Sequence, residues 1–397
     1  MAETVISSVR LILPESILND AWIRFENGII TGFGDGAAPQ SGQSGQSVEG
    51  RGLFLAPGFI DLHVHGGSGS DFLDGTPDAF CTVANYHLSR GTTALCPTLA
   101  TTTYERIREV LEVWSNTSDN CAAHLLPVHL EGPHLAVAKA GAQDPKLLRS
   151  PTDHDISWLV ENAARISQMT IAPELPNALS LIERCSQAGI VLSAGHTEAR
   201  EELVHQALNL GLTKVTHLYN AMTYAAKHGL FRQPGLAEYA LIEDRLACEL
   251  IADGFHAAPA LMKLAVRSKG PARLALISDA LAGTGLPVGS TFMLGSLPCR
   301  VAEGVCVLAD GSALAGSATT LMDQVRLMHE TLHVPLTDAV RMASHTPASI
   351  LGLADRYGSI ARGQAADLVR FDSCFRVHGV WVDGKAVPLN MRAEPRP

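Results

Sequence analysis

The chain has no lysine- or arginine-rich block, no C-x-x-C pair and no apolar run approaching the roughly 20 residues of a membrane span. Each absence removes a class of function. With a formal net charge of -10 and no basic block, nothing would neutralise a phosphate backbone, so a nucleic-acid partner is not expected. No membrane association is expected either. The amino terminus, MAETVISSVRLIL, lacks a basic leader followed by an apolar stretch and a small-residue cleavage site, which points to the cytoplasm. The eight cysteines, Cys81, Cys96, Cys121, Cys185, Cys248, Cys299, Cys306 and Cys374, are scattered. Reduced, mostly buried thiols without a catalytic role are expected from that pattern.

The 397 residues, 46% of them hydrophobic, are enough for a (β/α)8 barrel of about 250 residues and a small accessory domain. TVISSVRLIL and AWIRFENGIITGFG near the start, and GSIARGQAADLVRFDSCFRVHGVWVDGKAV near the end, read as short strands separated by turns. These ends are expected to pair as a small β-sandwich domain, 1–56 with 355–397, around a catalytic barrel at 57–354. The Gly/Ser/Gln stretch GAAPQSGQSGQSVEG reads as a loop.

Eight apolar runs fill the middle: GFIDLHVH, TTALCPTL, HLLPVHLEG, MTIAPEL, IVLSAGH, KVTHLYN, CELIADG and RLALISDA. Segments such as YERIREVLEVW, ISWLVENAARISQ, NALSLIERCSQA and EAREELVHQALNL separate them with helical spacing of apolar residues. An open doubly wound sheet would show the same alternation. The polar residues favour the barrel, because His63, His65, Glu131, His196, His217 and Asp279 all stand at the ends of runs, where a barrel gathers them at one mouth.

His63 and His65, two residues apart on a strand, project to one side and can reach one ion. Alone, such a pair among 16 histidines is weak. Glu131, His196 and His217 strengthen it, and imidazole with carboxylate and no thiolate suits zinc or a neighbouring divalent metal. Asp279 in LISDA is placed to take a proton from water and return it to a leaving nitrogen, the metal acidifying that water and polarising the carbonyl. A helix N-cap is the alternative role for Asp279.

PGFIDLHVHG, HLEGPH, SAGHTEA, THLYNAM, IADGFHA, ISDALAGTGLP, LAGSA and ARGQAADLV occur in an order that closely resembles the N-acetylglucosamine-6-phosphate deacetylases of the amidohydrolase superfamily. The resemblance spans nearly the whole chain. It implies Glu131, His196 and His217 as ligands of the main metal, Asp279 as catalytic acid/base, and a second ion at His63 and His65 in those members that keep the pair. The implied cofactor is Zn2+, with Fe2+, Co2+ or Mn2+ as alternatives and one or two ions per subunit. Substrate positions implied are Ala142, Gln143, Asn220, Ala221, Arg232, His256, Leu314, Ala315 and Gly316, with the Arg232 guanidinium on phosphate. A homodimer is implied too. Two departures fall on the substrate side: a long TYAAKHGLF segment before Arg232, and Gln143 where His is common.

The implied reaction is hydrolysis of N-acetyl-D-glucosamine 6-phosphate to D-glucosamine 6-phosphate and acetate. Alternatives are the galactosamine epimer, or a different amide as in D-aminoacylases and cyclic amidases. The fourth run, MTIAPEL, ends without the bridging lysine of many binuclear cyclic amidases, which favours the deacetylase. A non-catalytic scaffold should have lost some of the six mouth residues, and all are present.

Overall fold

The protein is described by a computed structural model covering residues 3–40 and 45–389. All eight apolar runs form strands: Phe59–Val64, Thr92–Leu99, Val128–Glu131, Ile166–Ile171, Val191–Ala194, Leu212–Val215, Ala247–Leu250 and Leu274–Leu276. Each is hydrogen-bonded in parallel to the next. Their near-continuous apolar character follows from burial on both faces, by helices outside and packed side chains inside. Every residue of Thr92–Leu99 is buried.

The first and eighth strands close the barrel through the residues just beyond them. The Asp279 amide donates to the His63 carbonyl at 2.9 Å, and the His65 amide to the Ala280 carbonyl at 2.9 Å. The barrel seam therefore lies at the mouth.

An α-helix follows every strand, from Pro77–Leu88 after the first to Leu321–Glu330 after the eighth. Tyr104–Thr117 illustrates why: the Thr103 hydroxyl caps it by accepting from the Arg106 amide at 3.3 Å, and Tyr104, Ile107, Val110 and Leu111 form the inward stripe.

The two ends of the chain share one antiparallel-rich sheet, ordered Lys385–Ala386, Val377–Val382, Leu368–Phe371, Phe54–Pro57, Thr4–Ile12, Ile17–Glu26 and Ile29–Asp35. Its core includes Ile6, Val9, Ile23, Phe25, Leu55 and Trp381. Thr4–Ile12 serves two neighbours on the edge away from Ile17–Glu26, where Ser8 bends it with φ of 52°. Thr4–Ser7 pairs with Gln46–Glu49, and Arg10–Leu11 with Phe54–Leu55. Gln46–Glu49 lies in the stretch expected to be a loop, and forms a strand because the open edge of Thr4–Ser7 satisfies its backbone. The centre of that stretch, 41–44, lies outside the described residues.

Three further features differ from the sequence expectation. Residues 291–317 form a four-stranded antiparallel sheet between the eighth barrel strand and its helix. The segment before Arg232 closes as a hairpin, Ala226–His228 with Phe231–Gln233. Cys81 and Cys121 are joined in a disulfide, correcting the expectation that all eight cysteines are reduced. Cys81 lies on helix Pro77–Leu88 and Cys121 just beyond helix Tyr104–Thr117, with Cα atoms 5.3 Å apart, a span a disulfide bridges and a sequence separation of 40 conceals. Of the other six, five are buried and Cys374 is exposed.

Candidate metal and catalytic site

Glu131, His196, His217, His63, His65 and Asp279 do converge, all buried, at the C-terminal ends of the third, fifth, sixth, first and eighth strands. His196, His217 and Asp279 have φ of 47°, 31° and 47°. Non-glycine residues rarely adopt this left-handed region, and here it turns each side chain off the strand end into the mouth. Close approach is built in beside them: a Cβ on Gly316 would stand 2.8 Å from the Asp279 carbonyl oxygen, to which the Ser317 amide donates at 2.9 Å.

Two triads of candidate ligands adjoin, Glu131 with His196 and His217, and Asp279 with His63 and His65. In the first, Glu131 Oε1 lies 3.2 Å from His196 Nε2 and 3.0 Å from His217 Nε2, and the two Nε2 atoms are 3.0 Å apart. In the second, Asp279 Oδ1 is 3.4 Å from both His63 Nε2 and His65 Nε2, which are 3.2 Å apart. Glu131 stands between them, its Oε2 reaching His65 Nε2 at 3.3 Å.

Ligands about 2.1 Å from a tetrahedral ion are about 3.4 Å from one another, so both triads fit a divalent metal. Imidazole nitrogens this close and turned on a common point need a cation or protons between them. Among the described residues the His217 and His65 Nδ1 atoms have no hydrogen-bond partner, while His196 Nδ1 donates to the Lys139 carbonyl at 2.8 Å. The six residues can therefore hold one or two divalent ions.

The same crowding sets the charges when protons alone occupy the mouth. Burial pushes His65 down, but hydrogen bonds to Asp279 and Glu131 outweigh it and lift its pKa to about 9. Burial likewise opposes, and the Glu131 and Asp279 carboxylates overcome, the effect on His63, which rises well above its ordinary value. Conversely burial raises Glu131 and Asp279, yet His63 and its neighbours hold both below the usual carboxylate range. Asp279 is thus ionised at neutral pH.

Gln143, expected to touch substrate, is buried and has both ends of its amide engaged. It donates to Glu131 Oε2 at 2.7 Å and accepts from the Thr101 amide at 2.7 Å. Within the described residues both polar ends of its amide are thus spent on Glu131 and Thr101. Ala142 is buried beside it. Asn220 turns its amide back to the His217 carbonyl at 3.2 Å, and Ala221 follows in the left-handed region with φ of 47°. His256 is locked to Asp253, Nδ1 to Oδ2 at 2.6 Å, which raises its pKa against burial. Leu314, Ala315 and Gly316 form the strand that docks on the Asp279 backbone. Arg232 is not among the residues of this cluster: it is exposed on the hairpin opposite Lys227, its guanidinium without a hydrogen bond or ion pair among the described residues.

Sequence reasoning passed over the layer beneath. Glu249 on the seventh strand faces His63 Nδ1 at 3.3 Å and pairs with the fully buried Lys214 of the sixth. Burial would raise Glu249, but Lys214 and His63 hold it well below the carboxylate range. A charged residue inside an apolar strand run, as in CELIADG and KVTHLYN, was the available signal.

Residues 54–387 match the model of the Amidohydrolase family. N-acetylglucosamine-6-phosphate deacetylase of Vibrio furnissii is 35% identical over 337 residues, 84% of this chain and 82% of that protein. The enzyme of the same name from Bacillus subtilis is 32% identical over 377 residues, 93% of each. N-acetylgalactosamine-6-phosphate deacetylase of Escherichia coli O157:H7 is 30% identical over 390 residues, 96% of this chain and 98% of that protein. Among solved structures, N-acetylglucosamine-6-phosphate deacetylase from Pasteurella multocida superposes with a TM-score of 0.91 at 26% identity, covering 97% of this chain and 99% of that one. The corresponding enzyme from Mycobacterium smegmatis gives 0.87 at 31% identity, covering 98% and 100%. The chain belongs to the amidohydrolase family and, within it, to the N-acetylglucosamine-6-phosphate deacetylases.

Proposed function

We propose that this chain hydrolyses the acetamide of N-acetyl-D-glucosamine 6-phosphate, giving D-glucosamine 6-phosphate and acetate. The observation that carries the reading is the convergence of two ligand triads with an ionised Asp279 whose Oδ1 faces both His63 and His65. A divalent ion held by Glu131, His196 and His217, with zinc our assignment, would acidify a water and polarise the acetyl carbonyl. Asp279 takes the proton of the attacking water on its carboxylate and delivers it to the departing nitrogen. Gln143 keeps Glu131 in place during this transfer.

The pyranose is assigned to Ala142, Asn220, Ala221, His256, Leu314, Ala315 and Gly316, and the phosphate to Arg232. Arg232 lies on a hairpin whose tip exposes Leu230 at 86% and Phe231 at 74%, an apolar end suited to a second copy of the chain. A homodimer in which the hairpin completes a site is therefore part of the reading, and light scattering at micromolar concentration tests it. No helix among the described residues is long and apolar enough to cross a membrane. A cytoplasmic enzyme divided into 1–56 with 355–397 and 57–354 is the arrangement we assign, the shared terminal sheet supporting the division.

Acetate release should be measured from N-acetylglucosamine 6-phosphate, its galactosamine epimer and unphosphorylated N-acetylglucosamine, with zinc. Turnover of a phosphorylated sugar far above the unphosphorylated one is expected. The galactosamine epimer is a real competitor because the Escherichia coli O157:H7 relative carries that name over nearly the whole chain. Equal turnover of all three would sink the phosphate assignment. Exhaustive chelation should abolish activity and zinc restore it; an enzyme indifferent to chelation would overturn the metal reading.

A further inference from the structure

Beneath the candidate ligands the barrel interior carries a full charge pair. Lys214 is completely buried, and its ammonium contacts both the Glu249 carboxylate and the Gln168 side-chain carbonyl. Gln168 in turn donates to the Leu62 carbonyl on the first strand. Removing two charges from water costs more than a surface pair does, so a buried pair calls for a role beyond holding the strands together.

The second oxygen of Glu249 indicates that role. It lies 3.3 Å from His63 Nδ1 and accepts from the His217 amide at 3.4 Å. A neutral imidazole carries one proton, and the ring nitrogen facing an acceptor keeps it, leaving the other nitrogen's lone pair free for a metal. Of the four imidazoles in the two ligand triads, His63 is the one whose Nδ1 faces a carboxylate: His196 Nδ1 reaches a backbone carbonyl, and the Nδ1 atoms of His65 and His217 have no partner among the described residues. His129 packs edge-on against the His63 ring, centroids 4.6 Å apart, which limits rotation away from Glu249.

We propose that Glu249 and Lys214 are a positioning pair that fixes His63 with its proton on Nδ1 and its Nε2 lone pair toward the mouth, giving the His63 and His65 triad its affinity for a divalent cation. This rests on the reading of His63 and His65 as ligands. Glu249 supplies the acceptor, Lys214 balances its charge, and Gln168 ties the pair to the strand that carries His63.

The test is zinc titration of the metal-free protein against a chromophoric chelator, with stoichiometry by elemental analysis. Lys214→Met/Glu249→Leu, which removes both charges together, should lower affinity at the His63 half by about 10- to 100-fold and by much less at the Glu131, His196 and His217 half, where only the His217 amide loses an acceptor. Lys214→Met/Glu249→Gln, whose carboxamide oxygen can accept from Nδ1, should recover most of that loss. A His63→Asn/His65→Asn control separates the failures. If the control leaves the titration unchanged, the ligand reading fails; if it changes the titration while the apolar variant does not, the positioning role fails. Equal loss at both halves would mean a structural role and overturn the inference. Should the apolar variant not fold, long-range proton–nitrogen spectra of the zinc-loaded native protein decide: a His63 proton on Nδ1 is expected, and one on Nε2 would overturn it.

Discussion

His196, His217 and Asp279 hold left-handed backbone angles that the fold enforces from outside, and their side chains meet at the mouth as a result. Their roles are separable. Asp279→Asn keeps the shape and removes the proton acceptor, so kcat should fall by about 10²–10⁴-fold with zinc content unchanged; a metal-replete variant with native turnover would end the acid/base assignment. Two buried histidines outside the mouth should contribute to acid stability. Burial pushes both His87 and His134 from 6.5 down to about 4. A base whose folded pKa is depressed stabilises the fold above its unfolded pKa, and the contribution is lost as pH falls from 6.5 toward 4. Each should cost about 2 kcal/mol between pH 7 and pH 5. His87→Met should accordingly flatten the urea midpoint over that window; an unchanged pH slope would show that His87 does not titrate there.

Helix Asp153–Glu161 secures the segment that carries Gln143. Asp155 accepts from the Thr152 amide at 2.8 Å and takes Arg149 in a two-pronged pair at 2.6 and 2.8 Å. Arg149 reaches back, its amide to the Pro133 carbonyl at 3.0 Å and its carbonyl accepting from His134 at 2.9 Å. Asp155→Ala removes the reciprocal cap and the ion pair together, and should destabilise the protein by about 2 kcal/mol in denaturant unfolding. A change under about 0.5 kcal/mol would mean the loop is held elsewhere. The Ala226–His228 and Phe231–Gln233 hairpin differs in kind, with Lys227, Leu230, Phe231, Arg232 and Gln233 all exposed. Arg232→Ala should therefore raise KM for the phosphorylated sugar at least about tenfold without lowering the melting temperature, consistent with loss of a charge-assisted contact. An unaltered KM would move phosphate recognition away from the hairpin.

For the whole molecule, the Cys81–Cys121 disulfide links the outer shell and lies far from the mouth in topology, joining Pro77–Leu88 to the turn after Tyr104–Thr117. Denatured protein should present six free thiols without reductant and eight with it. Because the two cysteines sit on and just after outer helices, Cys81→Ser/Cys121→Ser should keep full turnover while lowering stability by about 2–4 kcal/mol. Lost activity in a folded double variant would show that the outer helices feed into the site. The barrel seam is the more sensitive place, since the bonds that close it run through His63, His65 and Asp279 themselves.

The sequence alone determined the eight strands and the six converging mouth residues, because strand period and polar run ends are local properties, legible wherever a residue lies in the chain. It determined the family for the same reason, through motifs in fixed order. The Cys81–Cys121 pairing, the strand at Gln46–Glu49, the turn of Gln143 toward Glu131 and the Lys214–Glu249 pair were decided by tertiary structure. Each is a contact between residues distant in sequence, or a strand stabilised by a neighbour's open edge, and no local pattern encodes which partner arrives. Arg232 marks the same boundary from the other side: the resemblance implies a phosphate ligand there, while the fold leaves it exposed on a hairpin whose pairing no local pattern announced.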